Sequence, residues 1–306
     1  MKTPQPSNTS LVLAHCALFL VQLLFGTLPV IGKPLLQKIS AVSLVGIRVG
    51  LTALALVLIQ RYRSSLKLKE KEDYLKLFLL SFFGVTFNQL FFIGGLSLTT
   101  ASNTSLLAAT IPIFTLLISV ALGNEAFQKK SLIGILTAAF GVLLLIDVRN
   151  ASLSSETTLG DLMIILNSMS YGIYVATSKN VILRNGVIKS MTWIFIFASI
   201  FCVPLAFISA LKFEFTLTTD TLLSALYIAI FATLLPYLLN AFALQKVNPS
   251  SVAVYIYLQP LIGFSAAVVF LREEVTTIKL VSAVLILVGV LIASNPIVKK
   301  PASKLK

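Results

Sequence analysis

The sequence predicts an all-α integral membrane protein of ten transmembrane helices, and three observations carry that reading. Hydrophobic residues make up 57% of the chain and charged residues only 11%, against about 25% charged in a soluble domain. The apolar residues gather in long unbroken runs, and nearly all cations fall in the short stretches between them. A soluble fold this apolar has too little polar surface to cover itself.

The runs are read at 11–32, 41–60, 77–98, 101–122, 131–146, 162–178, 190–211, 221–245, 249–271 and 280–298. A helix needs roughly 20 apolar residues to cross a bilayer core, with a range of about 17–25. Strict period-two alternation is missing, and a helix satisfies its own backbone in lipid, so helix is favoured over strand. The runs at 131–146 and 162–178 are the shortest.

The cations set the orientation. With a cytoplasmic N-terminus, the inside stretches hold Lys2, the group Arg61, Arg63, Lys67, Lys69, Lys71 and Lys76, then Lys129, Lys130, Lys179, Arg184, Lys189, Lys246 and the C-terminal lysines. The outside stretches hold only Lys33, Lys38, Arg149, Lys212, Arg272 and Lys279. This asymmetry predicts both termini in the cytoplasm, as an even number of spans requires. The net charge of +13 therefore reads as a topology signal, and no nucleic-acid partner is expected. The first ten residues, MKTPQPSNTS, carry no signal-peptide cleavage pattern. Cys16 and Cys202 lie inside apolar runs, without disulfide or zinc spacing, so neither metal nor cofactor is expected.

The chain repeats itself. A shift of 148 residues pairs Leu96 with Leu244, Ser102 with Ser250, Pro112 with Pro260, Glu125 with Glu273 and Gly141-Val142-Leu143 with Gly289-Val290-Leu291. The expected domains are 1–150 and 151–306, five spans each. Five is odd, so the second unit enters the membrane from the opposite face. Inverted repeats around a central cavity are an architecture many secondary transporters share.

The segments Leu96-Ser97-Leu98-Thr99-Thr100-Ala101-Ser102-Asn103, Pro112-Ile113-Phe114, Leu122-Gly123-Asn124-Glu125 and Gly141-Val142 come in a fixed order. The second half answers with Ala243-Leu244-Gln245-Lys246-Val247, Leu258-Gln259-Pro260, Arg272-Glu273-Glu274 and Gly289-Val290. In these the chain resembles the drug/metabolite transporter superfamily, and within it the EamA-type family. Phe25-Gly26 is similar to a Trp-Gly of that family, and Arg48 to an arginine in its second span. Leu271-Arg272-Glu273 departs from a frequent Leu-Gly-Glu. The resemblance implies ten helices around a cavity that opens to one side at a time.

Candidate site residues come from polar stripes at helical spacing. They are Asn167, Tyr171 and Tyr174 on the sixth span, Thr233, Tyr237 and Asn240 on the eighth, Tyr255 and Gln259 on the ninth, and Asn88 and Gln89 on the third. Span one carries His15, Gln22, Gly26 and Pro29 toward Lys33. Polar side chains turn to the bundle interior, either to bond neighbouring helices or to line a solvated path. Pro112 and Pro260 free the carbonyls of Ala108 and Ile256, giving either a gating kink or a fixed bend. Arg48 is the fully charged side chain well inside a span, and burial at the bilayer centre costs on the order of 2.5–3.5 kcal/mol. It either anchors helix carbonyls or holds a substrate carboxylate. His15 is a candidate proton relay, since an imidazole titrates near neutral pH. Glu125 and Glu273 are read as caps or ion-pair partners at helix ends, and no carboxylate is expected mid-membrane.

No catalytic or nucleotide-binding motif is present, so the chain is not expected to be an enzyme. The expectation is a secondary transporter in a bacterial inner membrane, with a small-molecule substrate and candidate proton coupling, exporting amino acids or similar metabolites. The alternatives are a multidrug or nucleotide-sugar transporter, an intramembrane enzyme, or a non-transporting scaffold.

Overall fold

The structure is a computed structural model that describes residues 8–63, 65–123, 129–145, 155–212, 218–247, 252, 255, 256 and 258–293. Among these, every regular element is helical. Helix α1 (Asn8–Leu35) is followed by α2 (Ala41–Arg63). Helix α3 (Glu72–Ser81) passes through a π-helical turn (Phe82–Thr86) into α4 (Phe87–Leu98). Then come α5 (Ala101–Ala108), α6 (Ile111–Ala121) and α7 (Lys129–Leu145). Helix α8 (Glu156–Asn185) is joined through Gly186 alone to α9 (Val187–Ala210). Helix α10 (Thr219–Ala229) passes through a second π-turn (Ile230–Leu234) into α11 (Leu235–Lys246). Helices α12 (Leu258–Leu271) and α13 (Thr277–Ala293) complete the order.

Seven helical stretches among the described residues are long and apolar enough to cross a membrane, and Leu132–Leu145, Leu261–Leu271 and Thr277–Gly289 are shorter apolar helices. The surface agrees with a lipid solvent. Leu54, Leu58, Phe140, Phe207 and Val284 are exposed, whereas Gln22, Arg48, Gln89, Asn167 and Asn240 are buried. Apolar side chains face out and polar ones face in, because only the bundle interior offers the polar groups partners. The chain is a membrane protein.

The spacing of 148 residues recurs in the elements. It separates the starts of the two π-turns, of α4 and α11, of α7 and α13, and of α1 and α8. Packing follows the same exchange: α4 lies on α8 as α11 lies on α1, and α6 lies on α8 as α12 lies on α1. Helices α2 and α9 pack on each other, and so do α7 and α13. Among the described residues, the last pair touches the remainder of the bundle little. It is tight at Gly289, where a Cβ would run into the Ala138 backbone nitrogen and the Gly134 carbonyl.

Two expectations change. The run read at 162–178 is the middle of a 30-residue helix, α8, whose polar ends hid its length. Its second turn carries Asp161, a buried carboxylate near the start of the candidate span Glu156–Asn185 and not at its middle. The oxygens are satisfied: Thr99 donates to Oδ1 at 2.6 Å and Asn103 Nδ2 donates to both.

The prolines also act differently from a bend in a continuous helix. The fourth span breaks at Ala109-Thr110, and Pro112 stands in the first turn of α6. Pro260 stands in the first turn of α12. A helix start is where the missing N–H of proline costs least, because that donor has no intrahelical partner anyway.

Glu273 caps a helix, but across the chain. Its carboxylate accepts from the backbone N–H groups of Ala101 (2.8 Å) and Ser102 (3.2 Å) at the start of α5. Lys33 Nζ donates to the carbonyls of Leu96, Ser97 and Thr99 at the end of α4. The α4–α5 link is therefore held by a cation at a helix C-terminus and an anion at a helix N-terminus, each on its favourable end of the dipole. Glu125 lies outside the described residues.

Candidate functional site

The helices converge on a cavity that holds about 550 Å³ of empty space when its open side is counted in. Its walls are Gln22, Phe25 and Leu28 from α1, Arg48 from α2, Asn88, Gln89 and Phe92 from α4, Ala108 and Ile111 around the α5–α6 break, Asn167 and Tyr171 from α8, Tyr237 and Asn240 from α11, and Ile256 and Gln259 at the start of α12. Thus Asn88, Gln89, Asn167, Tyr171, Tyr237, Asn240 and Gln259, read from polar stripes, come together with Arg48, read as a charge inside a span, around one cavity. Ala108 and Ile256, the residues four before the two prolines, also line it. The Ile256 carbonyl is taken up by the Gln259 N–H at 3.0 Å.

Three candidates stand behind the wall instead. Tyr174 is buried, its hydroxyl 3.8 Å from Met191 Sδ. Its ring fills the place a side chain at Gly84 would need, with Cδ2 only 2.5 Å from an added Cβ. Thr233 accepts from Arg48 Nε at 2.8 Å. Tyr255 meets His15 Nδ1 at 2.9 Å, and His15 is exposed near the start of α1, away from the cavity.

The two π-turns carry the polar wall. In the first, the Gly84 carbonyl accepts from the Tyr237 hydroxyl at 2.7 Å. In the second, the Ala232 carbonyl accepts from Arg48 Nη2 at 2.7 Å. Pro236, four residues later, has no N–H to offer that carbonyl. The guanidinium is thus fixed by two bonds, to Thr233 and Ala232, and Nη1 takes part in neither. Asn88 Oδ1 lies 3.0 Å from the Tyr237 hydroxyl, Asn167 Nδ2 donates to the Asn88 carbonyl at 2.8 Å, and Asn240 Nδ2 donates to the Tyr171 hydroxyl.

Against this network stand amide oxygens with nothing to accept. Gln22 Oε1, Gln89 Oε1 and Asn240 Oδ1 are buried without a hydrogen-bond partner among the described residues. A buried acceptor left alone costs about 1–3 kcal/mol, and these three belong to residues that line one cavity. Around them, Phe25 and Tyr237 meet edge-to-face at 6.1 Å, and Tyr171 and Tyr237 at 6.4 Å. Phe25, Leu28, Phe92, Ile111 and Ile256 were missed by the polar-stripe reading, because an apolar wall residue has the same sequence signature as one facing lipid.

The sequence profile of the EamA-like transporter family matches residues 12–147 and again 158–295. The chain belongs to the EamA-like transporter family. It is 28% identical over 219 residues to an uncharacterized transporter of Archaeoglobus fulgidus, covering 71% of this chain and 75% of that one. It is 23% identical over 283 residues to the uncharacterized transporter YetK of Bacillus subtilis, covering 91% and 86%. A Salmonella typhimurium protein named a probable amino-acid metabolite efflux pump is 28% identical over 211 residues, covering 63% and 67%. A solved structure described only as "crystal structure of protein" superposes with a TM-score of 0.63 at 17% identity, covering 92% of this chain and 96% of that one; it shows the fold alone. The chain is a transporter of the EamA type.

Proposed function

We propose that this transporter exports amino acids or similar small metabolites by alternating access between two inverted five-helix repeats, residues 1–150 and 151–306. The observation that carries the reading is the chemistry of the cavity. A guanidinium whose Nη1 takes part in neither of its two bonds, and three amides whose buried oxygens have no partner among the described residues, belong to residues that line one cavity. A zwitterion satisfies both: its carboxylate takes Arg48, and its ammonium gives protons to Gln22, Gln89 and Asn240. Phe25, Tyr171 and Tyr237 receive an apolar or aromatic side chain. Asn88, Asn167 and Gln259 complete the wall, while Tyr174, Thr233 and Tyr255 position it. The relative named a probable amino-acid metabolite efflux pump lends support to the substrate class.

The inversion is supported by the 148-residue spacing of both sequence and elements and by the exchanged packing of α1 and α8. Each unit is read as five spans, so both termini lie in the cytoplasm of a bacterial inner membrane. The loop ends of α6 and α12 at Pro112 and Pro260 supply the breaks at which one unit rocks against the other. His15, bonded to Tyr255, is the candidate for proton coupling.

The test is counterflow in proteoliposomes holding the purified protein. Labelled zwitterionic amino acids are expected to exchange, while their N-acetyl and methyl-ester derivatives compete at least about tenfold more weakly, the effect of losing one charged contact. Equal competition by both derivatives rejects the zwitterion reading. Running the assay with and without a pH gradient tests His15. Ser65→Cys and Lys212→Cys test the inversion: labelling from one and the same side removes it.

A further inference from the structure

Outside the cavity, aromatic rings form a continuous ribbon on α3 and α9. Tyr74 and Trp193 meet edge-to-face at 4.9 Å, and Trp193 lies 5.3 Å from Phe197. Phe197 lies 5.4 Å from Phe78, which lies 5.1 Å from Phe82, and Phe82 lies 5.0 Å from Phe201. The ribbon is edged by exposed Leu75, Leu79 and Ile200, so it borders the outer surface of the bundle and not the transport path.

Above its Tyr74–Trp193 end sits the loop between α2 and α3. The loop backbone is pinned: Trp193 Nε1 donates to the Leu66 carbonyl (2.8 Å), Lys189 Nζ to the Lys67 carbonyl (3.1 Å), and the Lys69 N–H to Asn185 Oδ1 (3.0 Å). The neighbouring acids are already used. Glu70 and Asp73 pair with Arg184 at 3.0 and 2.8 Å, and Glu72 with Lys76 at 3.6 Å. Lys67, Lys69 and Lys71 remain exposed, with no ion pair to a described residue. An ordered basic cap therefore stands over an apolar strip about 12 Å long, eight helical residues at about 1.5 Å each, with the chain's one tryptophan at the boundary between them.

We propose that this face is a binding site for an anionic phospholipid, with the headgroup phosphate held by Lys67, Lys69 and Lys71 and an acyl chain laid along the ribbon. Basic groups beside span ends attract anionic headgroups, and Trp and Tyr sit at the headgroup level of a bilayer. A zwitterionic headgroup brings a cation that the lysines repel. A second copy of the chain docked on this face about an axis along the membrane normal sets two basic loops against each other. The lipid neutralises the charge that such a dimer concentrates. The site is independent of what the cavity carries.

Trp193 reads the occupancy directly, because bromine on an acyl chain quenches an indole it touches. The full-length protein is placed in phosphatidylcholine vesicles, with brominated phosphatidylglycerol or brominated phosphatidylcholine added at matched mole fractions. Brominated phosphatidylglycerol is expected to reach half-maximal quenching at about a fivefold lower mole fraction. The preference is expected to vanish in Lys67→Gln/Lys69→Gln/Lys71→Gln while quenching by brominated phosphatidylcholine is unchanged, which also reports that the variant is folded. In the unmodified protein, raising the salt is expected to shrink the preference, since exposed charges are screened. Equal quenching by both lipids, or a preference that survives high salt, overturns the proposal. So does a Trp193 shielded from both lipids, the result a second copy on this face produces.

Discussion

Gly84 and Ala232 occupy the same place in two π-turns 148 residues apart, and each gives its carbonyl to a cavity-lining side chain at 2.7 Å, Gly84 to Tyr237 and Ala232 to Arg48. A π-turn widens the helix and turns a carbonyl away from its own ladder, and such turns recur at functional sites. Here both freed carbonyls fix the polar wall of one cavity, and the side chain serving the first π-turn comes from the helix that follows the second.

Arg48→Met is expected to reduce transport at least about tenfold and to lower stability by roughly 1.5–3 kcal/mol, because the Ala232 carbonyl loses a charged donor that Pro236 cannot replace. Arg48→Lys keeps the charge but not the two-point geometry, and is expected to recover stability more than turnover. Thermal unfolding in detergent and counterflow rates separate the two effects. A variant Arg48→Met with full transport removes the guanidinium from the substrate site.

Tyr237→Phe and Tyr174→Ala are expected to fail in different ways. The first removes a hydroxyl that serves Gly84 and lies 3.0 Å from Asn88 Oδ1, so it weakens substrate affinity at a stability cost of about 1 kcal/mol. The second empties a buried ring site and is expected to cost about 3–5 kcal/mol. Concentration dependence of counterflow and thermal melts distinguish them; identical signatures remove the assignment of Tyr174 behind the wall.

Gly84→Ala drives a methyl into the Tyr174 ring and is expected to cost about 1–3 kcal/mol, the range for overpacking. Combining it with Tyr174→Leu is expected to restore part of the loss. A melt unchanged by the single substitution places the ring elsewhere.

Gly289→Leu is expected to pry α13 from α7 while leaving the transport rate per folded molecule within about twofold, since that pair lies away from the cavity walls and distant sites act nearly independently. Melting temperature and rate, measured on one preparation, check this. A rate that collapses with intact folding assigns the outer pair a part in the cycle.

Arg272 has φ of 54°, a left-handed conformation that costs a non-glycine residue roughly 1–2 kcal/mol. Arg272→Gly is expected to leave expression intact and to raise the unfolding temperature. The neighbouring Glu273→Gln is expected to lower stability by about 1 kcal/mol, the worth of a helix cap, because a neutral amide offers one oxygen to the two N–H groups of Ala101 and Ser102. A stable Glu273→Gln protein shows that Lys33 alone holds the α4–α5 link.

The sequence by itself determined that the chain lives in lipid, that its helices lie along apolar runs, and that a 148-residue pattern recurs in it, because hydrophobic length and composition act locally along the chain. It also delivered most of the polar cavity wall, since a polar side chain in a lipid-soluble helix can turn only inward. Only the tertiary structure decided which of those side chains face the cavity and which, like Tyr174 and Thr233, stand behind it, because one helical stripe is wide enough to serve both positions. The apolar walls at Phe25 and Phe92, the placement of Glu273 on the helix start at Ser102, 171 residues away in sequence, and the capture of Asp161 by Thr99 and Asn103 depend on contacts between segments distant in sequence. Lipid-facing and cavity-facing leucines read alike in a sequence; packing alone tells them apart.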